Sequence, residues 1–188
     1  RSPLRLGPLA AGLWGVWTDR DGRRLALAGM FNFAGMFTYI ASASLFVVGL
    51  LNGGEQDFWV LFVPLIGGMV TGSWFTGRMA GRIGGGRLAT IGYVISSVGA
   101  VGNLALALAP GTQGLPWSVL FLPVYSFGIA IVFPILTLEM LELFPHARCS
   151  ASSVQSCLQL LFNSLIAGVI APFVAQSLPG LAVAALVF

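Results

Sequence analysis

The sequence predicts an all-α membrane protein, and three observations carry that prediction. The first is composition. Of 188 residues, 57% are hydrophobic and 8% are charged, where a soluble domain carries about 25% charged residues; the mean hydropathy is +0.92. The second is segmentation into six apolar stretches, at about 25–50, 58–77, 88–109, 117–138, 151–175 and 181–188. The third is the placing of positive charge. All nine basic residues are arginines, at positions 1, 5, 20, 23, 24, 78, 82, 87 and 148, and they fall only on alternate connections.

A spanning helix needs roughly 20 apolar residues. Five of the six segments reach that length, and the sixth has only its beginning. The chain starts at Arg1 and ends inside an apolar run at Phe188, which reads as a fragment of a longer protein. Residues 1–24 read as a cytoplasmic linker. Within it, 4–17 is apolar but broken by Gly7, Pro8, Gly12 and Gly15, an interfacial segment with Trp14 and Trp17 at headgroup level. Residues 25–188 read as a transmembrane helix bundle. Closed barrels are the other spanning solution, but their strands alternate polar with apolar, and the runs 104–109 and 127–133 do not.

The connections fix the orientation. Residues 52–57 hold Glu55 and Asp57 without arginine, and 110–116 and 176–180 are neutral; these belong outside. The N-terminal stretch, 78–87 and 139–150 carry all the arginines and belong to the cytoplasm. Small residues recur at packing spacing, Gly68 and Gly72 in the second segment and Gly92, Ser96 and Ala100 in the third. Such steps let helix backbones approach closely in lipid. Pro64, Pro123, Pro134 and Pro172 lie within segments, where neighbouring helices re-satisfy the freed backbone.

Several function classes drop out. The arginines lack an interleaved aromatic or polar face for a phosphate backbone, so nucleic acid is not a partner. No Ser/His/Asp set, HExxH or nucleotide loop is present, and Gly84, Gly85 and Gly86 are followed by Arg87 rather than a GK[ST] ending. The chain reads as no enzyme. Cys149 and Cys157 have no partner at ligand spacing, and His146 follows Pro145 in a polar connection, so neither a metal nor a cofactor is expected. No ionisable side chain lies in the middle of a segment. A charge there costs roughly 2.5–3.5 kcal/mol on insertion scales and is normally kept for function. Glu139, at the cytoplasmic end of the fourth segment, is the one candidate for a coupling role, and a helix-end carboxylate in reach of water is its plainer reading.

Polar residues do fall on common helix faces. Asn32, Gly35, Tyr39 and Ser42 share one in the first segment, and Ser152, Gln155, Gln159 and Asn163 share one in the fifth. Amide groups facing lipid are costly. Two readings stand with equal weight, a wet wall of a substrate cavity and interhelical hydrogen bonding.

Two motifs resemble a known family. Gly77, Arg78, Met79, Ala80, Gly81, Arg82, Ile83 and Gly84, then Arg87, resemble the major facilitator superfamily pattern G-x-x-x-D-R-x-G-R-R of the loop between helices two and three, repeated in weaker form between eight and nine. Gly81 stands at the acidic position. Leu143, Phe144, Pro145, Arg148, Ala151, Ser152, Ser153 and Gln155 resemble L-F-P-x-x-R-G-x-A-S-S-x-Q, which leads into helix eleven of Bcr/CflA-type drug:proton antiporters; Cys149 stands for the glycine. Tyr39, Ile40, Ala41, Ser42 and Ala43 resemble that family's helix seven, with Ser44 in place of proline. A competing register exists, because residues 15–24 match the first pattern without a gap. It would make the second segment helix four, which carries a buried arginine in such antiporters, and no segment here contains one.

The resemblance therefore implies half of a major facilitator fold, helices 7–11 plus the start of 12, in a multi-pass bacterial inner-membrane protein with a cytoplasmic N-terminus. It implies proton-coupled efflux of small amphipathic compounds by alternating access, with the missing N-terminal half, lipid, substrate and protons as partners. Cavity lining would fall to Asn32, Tyr39, Tyr125, Gln159 and Asn163. Gly77, Arg78, Gly81, Arg82, Gly84, Arg87 and Arg148 would form the cytoplasmic gating loops. Proton-coupling carboxylates would lie in the other half. A metabolite transporter of the same fold, for a sugar or nucleoside, and a non-transporting truncated fragment are the alternatives.

Overall fold

The structure, a computed structural model, describes residues 14–50, 54, 56–109, 117–174 and 177–187. They are almost entirely helical, with no strand among them. Six helices follow one another: α1 (Arg20–Ala41), α2 (Trp59–Met79), α3 (Gly85–Leu108), α4 (Leu122–Leu143), α5 (Arg148–Leu165) and α6 (Leu178–Val187). A π-helical stretch, Leu45–Leu50, follows α1, and a second, Ile166–Ile170, extends α5 into the turn Ala171–Val174. Four helical stretches are long and apolar enough to cross a membrane: Trp59–Met79, Gly85–Leu108, Trp117–Leu143 and Arg148–Val174. The first apolar segment is not one straight span. Its α-helix starts in the arginine-rich stretch at Arg20, turns at Ser42 and continues as the π-helical stretch.

Local chemistry sets the boundaries. Asp19 caps α1, its carboxylate accepting from the backbone N–H of Asp21 at 3.1 Å and of Gly22 at 2.7 Å, which satisfies two of the amides a helix start leaves open. Between α2 and α3, Gly81 takes φ +84°, a left-handed conformation that costs glycine little and other residues more. Pro123 sits in the first turn of α4, where its missing N–H costs nothing.

α4 is the hub. In its spanning window 61% of residues are buried, against 17% in that of α5. It packs on α2 and on α3, and small residues make both contacts possible. A Cβ on Gly68 would lie 2.3 Å from the Pro123 carbonyl oxygen, and one on Gly72 would lie 2.5 Å from that of Phe127. On the other side, a Cβ on Gly128 would meet the Ser96 nitrogen at 2.4 Å and the Gly92 oxygen at 2.6 Å. Backbone-to-backbone approach of this kind supplies dispersion and packing where lipid tails remove the hydrophobic drive.

The helix pairings have an internal symmetry. α4 packs on α2 and α3, while α1 packs on α5 and α6; α1 and α4 pack on each other, and so do α3 and α6. Exchanging α1, α2 and α3 for α4, α5 and α6 maps these six pairings onto one another; α4 also packs on α5, without a comparable contact between α1 and α2, so the symmetry is approximate. Outward-facing apolar residues run in stripes at helical spacing, such as Trp59, Val63, Ile66, Val70 and Trp74 on α2 and Ile91, Val94, Val98 and Val101 on α3. Contiguous apolar surface on that scale suits lipid rather than water.

Candidate functional site

Three α1 positions singled out in the sequence meet other helices. Asn32 is buried, and its Nδ2 donates to the Ile129 carbonyl of α4 at 3.3 Å. Tyr39 is buried in the core cluster with Met36, Phe46, Leu61 and Leu122, and its hydroxyl accepts from Asn103 Nδ2 of α3. Gly35 leaves room for Tyr125, since its Cβ would lie 1.9 Å from the Tyr125 hydroxyl. That hydroxyl donates to the Ala185 carbonyl of α6 at 3.1 Å. Asn32 and Tyr125 also border a polar cavity of about 110 Å³, together with Tyr93, Ser96 and Ser97, enough space for several waters at roughly 10–15 Å³ each.

On α5, Gln159 is half-buried, and Asn163 is buried with Oδ1 unpartnered. The buried amide that ties the face down is Gln155, whose Nε2 donates to Thr137 Oγ1 of α4 at 3.2 Å and fills the space left by Gly29. Asn32, Tyr39, Tyr125 and Gln155 each make an interhelical hydrogen bond, and Asn32 and Tyr125 border the polar cavity as well. Replacing Asn103 with leucine leaves a phenol unpaired in the core and costs about 1–2 kcal/mol. Adding Tyr39→Phe returns part of that loss, which thermal unfolding of the two single variants and the double variant measures.

The residues of the first motif surround the α2–α3 turn. Gly77, Gly81, Arg82, Gly84 and Arg87 are exposed around the α2–α3 turn, and the Arg78 guanidinium lies 5.6 Å from the centre of the Trp74 ring. Arg148 opens α5 and is exposed. Residues 15–24, the competing match, form a helical turn, the Asp19 cap and the start of α1. Val16 and Ala26 pack there with Met140, Ala151 and Phe144, and a Cβ on Gly22 would meet the Phe144 ring at 2.7 Å. Residues 15–24 and the 143–155 motif are therefore in contact.

Two further cavities were not legible in the sequence. One lies between α1, α2 and α4, and a second adjoins the α2–α3 turn between α2, α3 and α4. The apolar one, about 450 Å³, is walled by Phe33, Met69, Thr76, Phe133, Pro134 and Leu138 among others. The second, about 380 Å³, opens at the α2–α3 turn and includes Glu139 and Glu142. Thr76, Ala80, Pro134 and Leu138 border both. Binding pockets are commonly about 300–1,000 Å³ with mostly apolar walls and few polar groups. Pro134 was visible as a helix proline; Phe33, Met69 and Phe133 carry no signal that separates them from ordinary core or lipid-facing residues. Among the described residues, no group of His, Cys, Asp and Glu is placed to hold a metal ion.

Comparison with family models finds no match to the chain, and searches of curated proteins and of solved structures find none either. Fold and composition define the class on their own: an almost wholly helical chain with four stretches able to cross a membrane, consistent with a multi-pass membrane protein.

Proposed function

We propose that the chain is the C-terminal six-helix half of a secondary active transporter of the major facilitator type. It serves efflux of small amphipathic compounds in exchange for protons, in a bacterial inner membrane with the arginine-bearing face inside. The observation that carries this reading is the approximate symmetry of the helix pairings, from which the α4–α5 contact departs. Units three helices long have opposite starting sides in a membrane, so α1–α3 and α4–α6 are an inverted-topology pair. Inverted repeats are the building plan of many secondary transporters, the six-helix halves of the major facilitator fold among them. The two cytoplasmic motifs and the groove on the α1–α2–α4 face support the same reading. That face meets the other half across the substrate path, and the halves rock around it.

Proton coupling falls to the other half, because no carboxylate lies at a helix centre here. Inside-out vesicles carrying this chain joined to the coding sequence upstream of Arg1 should show substrate-dependent proton movement when a lipophilic drug is added. Vesicles carrying the chain alone should show none. Antiport by the chain alone would overturn the assignment of coupling.

A further inference from the structure

We propose that the arginine-bearing end of the α2–α3 hairpin is a docking site for an anionic phospholipid, whose phosphate is held by Arg78 and Arg87. The proposal needs α2 and α3 to cross a membrane and does not rest on the transporter reading. The outward stripe of α2 that passes Val70 and Trp74 reaches Arg78 at the next four-residue step. The outward stripe of α3 that runs through Ile91, Val94 and Val98 begins one such step earlier, at Arg87. Both arginines are exposed. Each lipid-facing surface therefore ends in a cation on the same side of the bilayer. A phospholipid has the matching layout, a phosphate set at the end of two acyl chains.

A tight turn keeps the two helix ends together. Ala80 and Ile83 form a backbone bridge across it, around Gly81 in its left-handed conformation. Beyond the turn, α2 and α3 pack on α4 rather than on each other. Phe75 of α2 and Ile95 of α3, both partly buried, rest on the cluster of Leu88, Ile131 and Ile135, so apolar surface continues from one helix to the other. The Arg78 guanidinium lies 5.6 Å from the centre of the Trp74 ring. Helix side chains lean toward the N-terminus, which for Arg78 means back toward the bilayer, and tryptophan settles at headgroup level. Arg87, in the first turn of α3, leans out of the bilayer to the same layer. Residues 78–87 hold three arginines and no acidic residue. Glu139 and Glu142 of α4 border the cavity between α2, α3 and α4 and do not pair with them: among the described residues the only ion pair is Arg24 with Asp21, at 3.5 Å. Guanidinium groups bind phosphate through parallel N–H bonds. A free phosphate ion would gain that charge contact but none of the apolar one, so the occupant is a lipid.

Trp74 lies at the site and reports on the lipid beside it. The chain, with its other four tryptophans changed to phenylalanine, is reconstituted in phosphatidylcholine. Quenching of Trp74 by brominated phosphatidylglycerol is then compared with quenching by brominated phosphatidylcholine. The anionic lipid should be preferred about fivefold, the scale of one basic residue near an anionic surface. A chain that keeps only Trp59, at the other end of the same stripe and two residues after Asp57, should show no preference. Arg87→Gln leaves the Arg78–Trp74 stack in place and should lower the preference at Trp74 below about twofold. Arg148→Gln, on α5, should leave it unchanged. Equal preference at Trp74 and Trp59 overturns the proposal. So does an equal effect of the two arginine changes, which would show diffuse surface charge in place of a site. If the Arg87 variant does not fold, the comparison of Trp74 with Trp59 decides.

Discussion

Replacing Gly128 with alanine destabilises the bundle by about 2–3 kcal/mol, although the change adds one methyl group. A Cβ there would lie 2.4 Å from the Ser96 nitrogen and 2.6 Å from the Gly92 oxygen. Both are backbone atoms, so no rotamer change relieves the overlap and α3 must move away from α4. Dispersion between closely packed backbones is what holds helices together in lipid, and the α3–α4 seam is the hub's most intimate one. Gly128→Leu should prevent assembly altogether. Gly67→Ala is the control. Gly67 lies exposed on α2 with nothing within 4 Å of its Cβ position, and helix propensity alone makes that change neutral or stabilising by about 0.5–1 kcal/mol. Thermal unfolding of the purified variants in one detergent separates them. Similar midpoints for Gly128→Ala and Gly67→Ala would contradict the seam.

Gly35→Ala should cost about 2–3 kcal/mol through a different route. Its Cβ would fall 1.9 Å from the Tyr125 hydroxyl and 3.2 Å from the Ala185 Cα. Tyr125 is buried, and its hydroxyl holds the Ala185 carbonyl of α6. Displacing it breaks the one hydrogen bond described between α4 and α6 and strains the α1 contact to both. Here the obstacle is a side-chain end, so a second change can remove it. Gly35→Ala with Tyr125→Phe should be more stable than Gly35→Ala alone, even though Tyr125→Phe by itself is destabilising through the orphaned carbonyl. That reversal of sign separates a steric clash at the hydroxyl from a general intolerance of side chains at position 35.

The two seams differ in how far the sequence announced them. Gly68 with Gly72, and Gly92 with Ser96 and Ala100, recur at four-residue steps, and the structure buries all five against neighbouring helices. Gly128 has valine four residues on either side, so the partner of the α3 step had no pattern of its own. Helix periodicity names the face of one helix; which helix it meets is decided by tertiary packing. The same limit governs the polar residues. Asn32, Gly35, Tyr39 and Ser42 share a face by spacing, but spacing does not say that Asn32 finds a carbonyl, that Tyr39 finds Asn103, or that the Ser42 hydroxyl is left without a partner. The break at Ser42 was also hidden, because π-helical and α-helical stretches have the same apolar composition. The two cavities beside α2 and α4 are the hardest part to foresee. The walls of each come from three helices, and only Glu139 and Pro134 stood out in one dimension.

In the proposed transporter, α1–α3 and α4–α6 are two copies of one unit set in opposite directions across a membrane. Sided labelling with a membrane-impermeant maleimide tests it, in cells and in inside-out vesicles, on chains with Cys157 replaced by alanine. Native Cys149, exposed at the start of α5, and a cysteine replacing Gly85 in the α2–α3 turn should label only from inside; each chain that carries an introduced cysteine has Cys149 replaced by serine. Cysteines replacing Gln56 before α2 and Ser177 before α6 should label only from outside. Gly85 and Ser177 hold equivalent corners of the two units, so their labelling from opposite sides is the predicted result. Labelling of both from the same side would contradict the inverted pair and the transporter reading built on it.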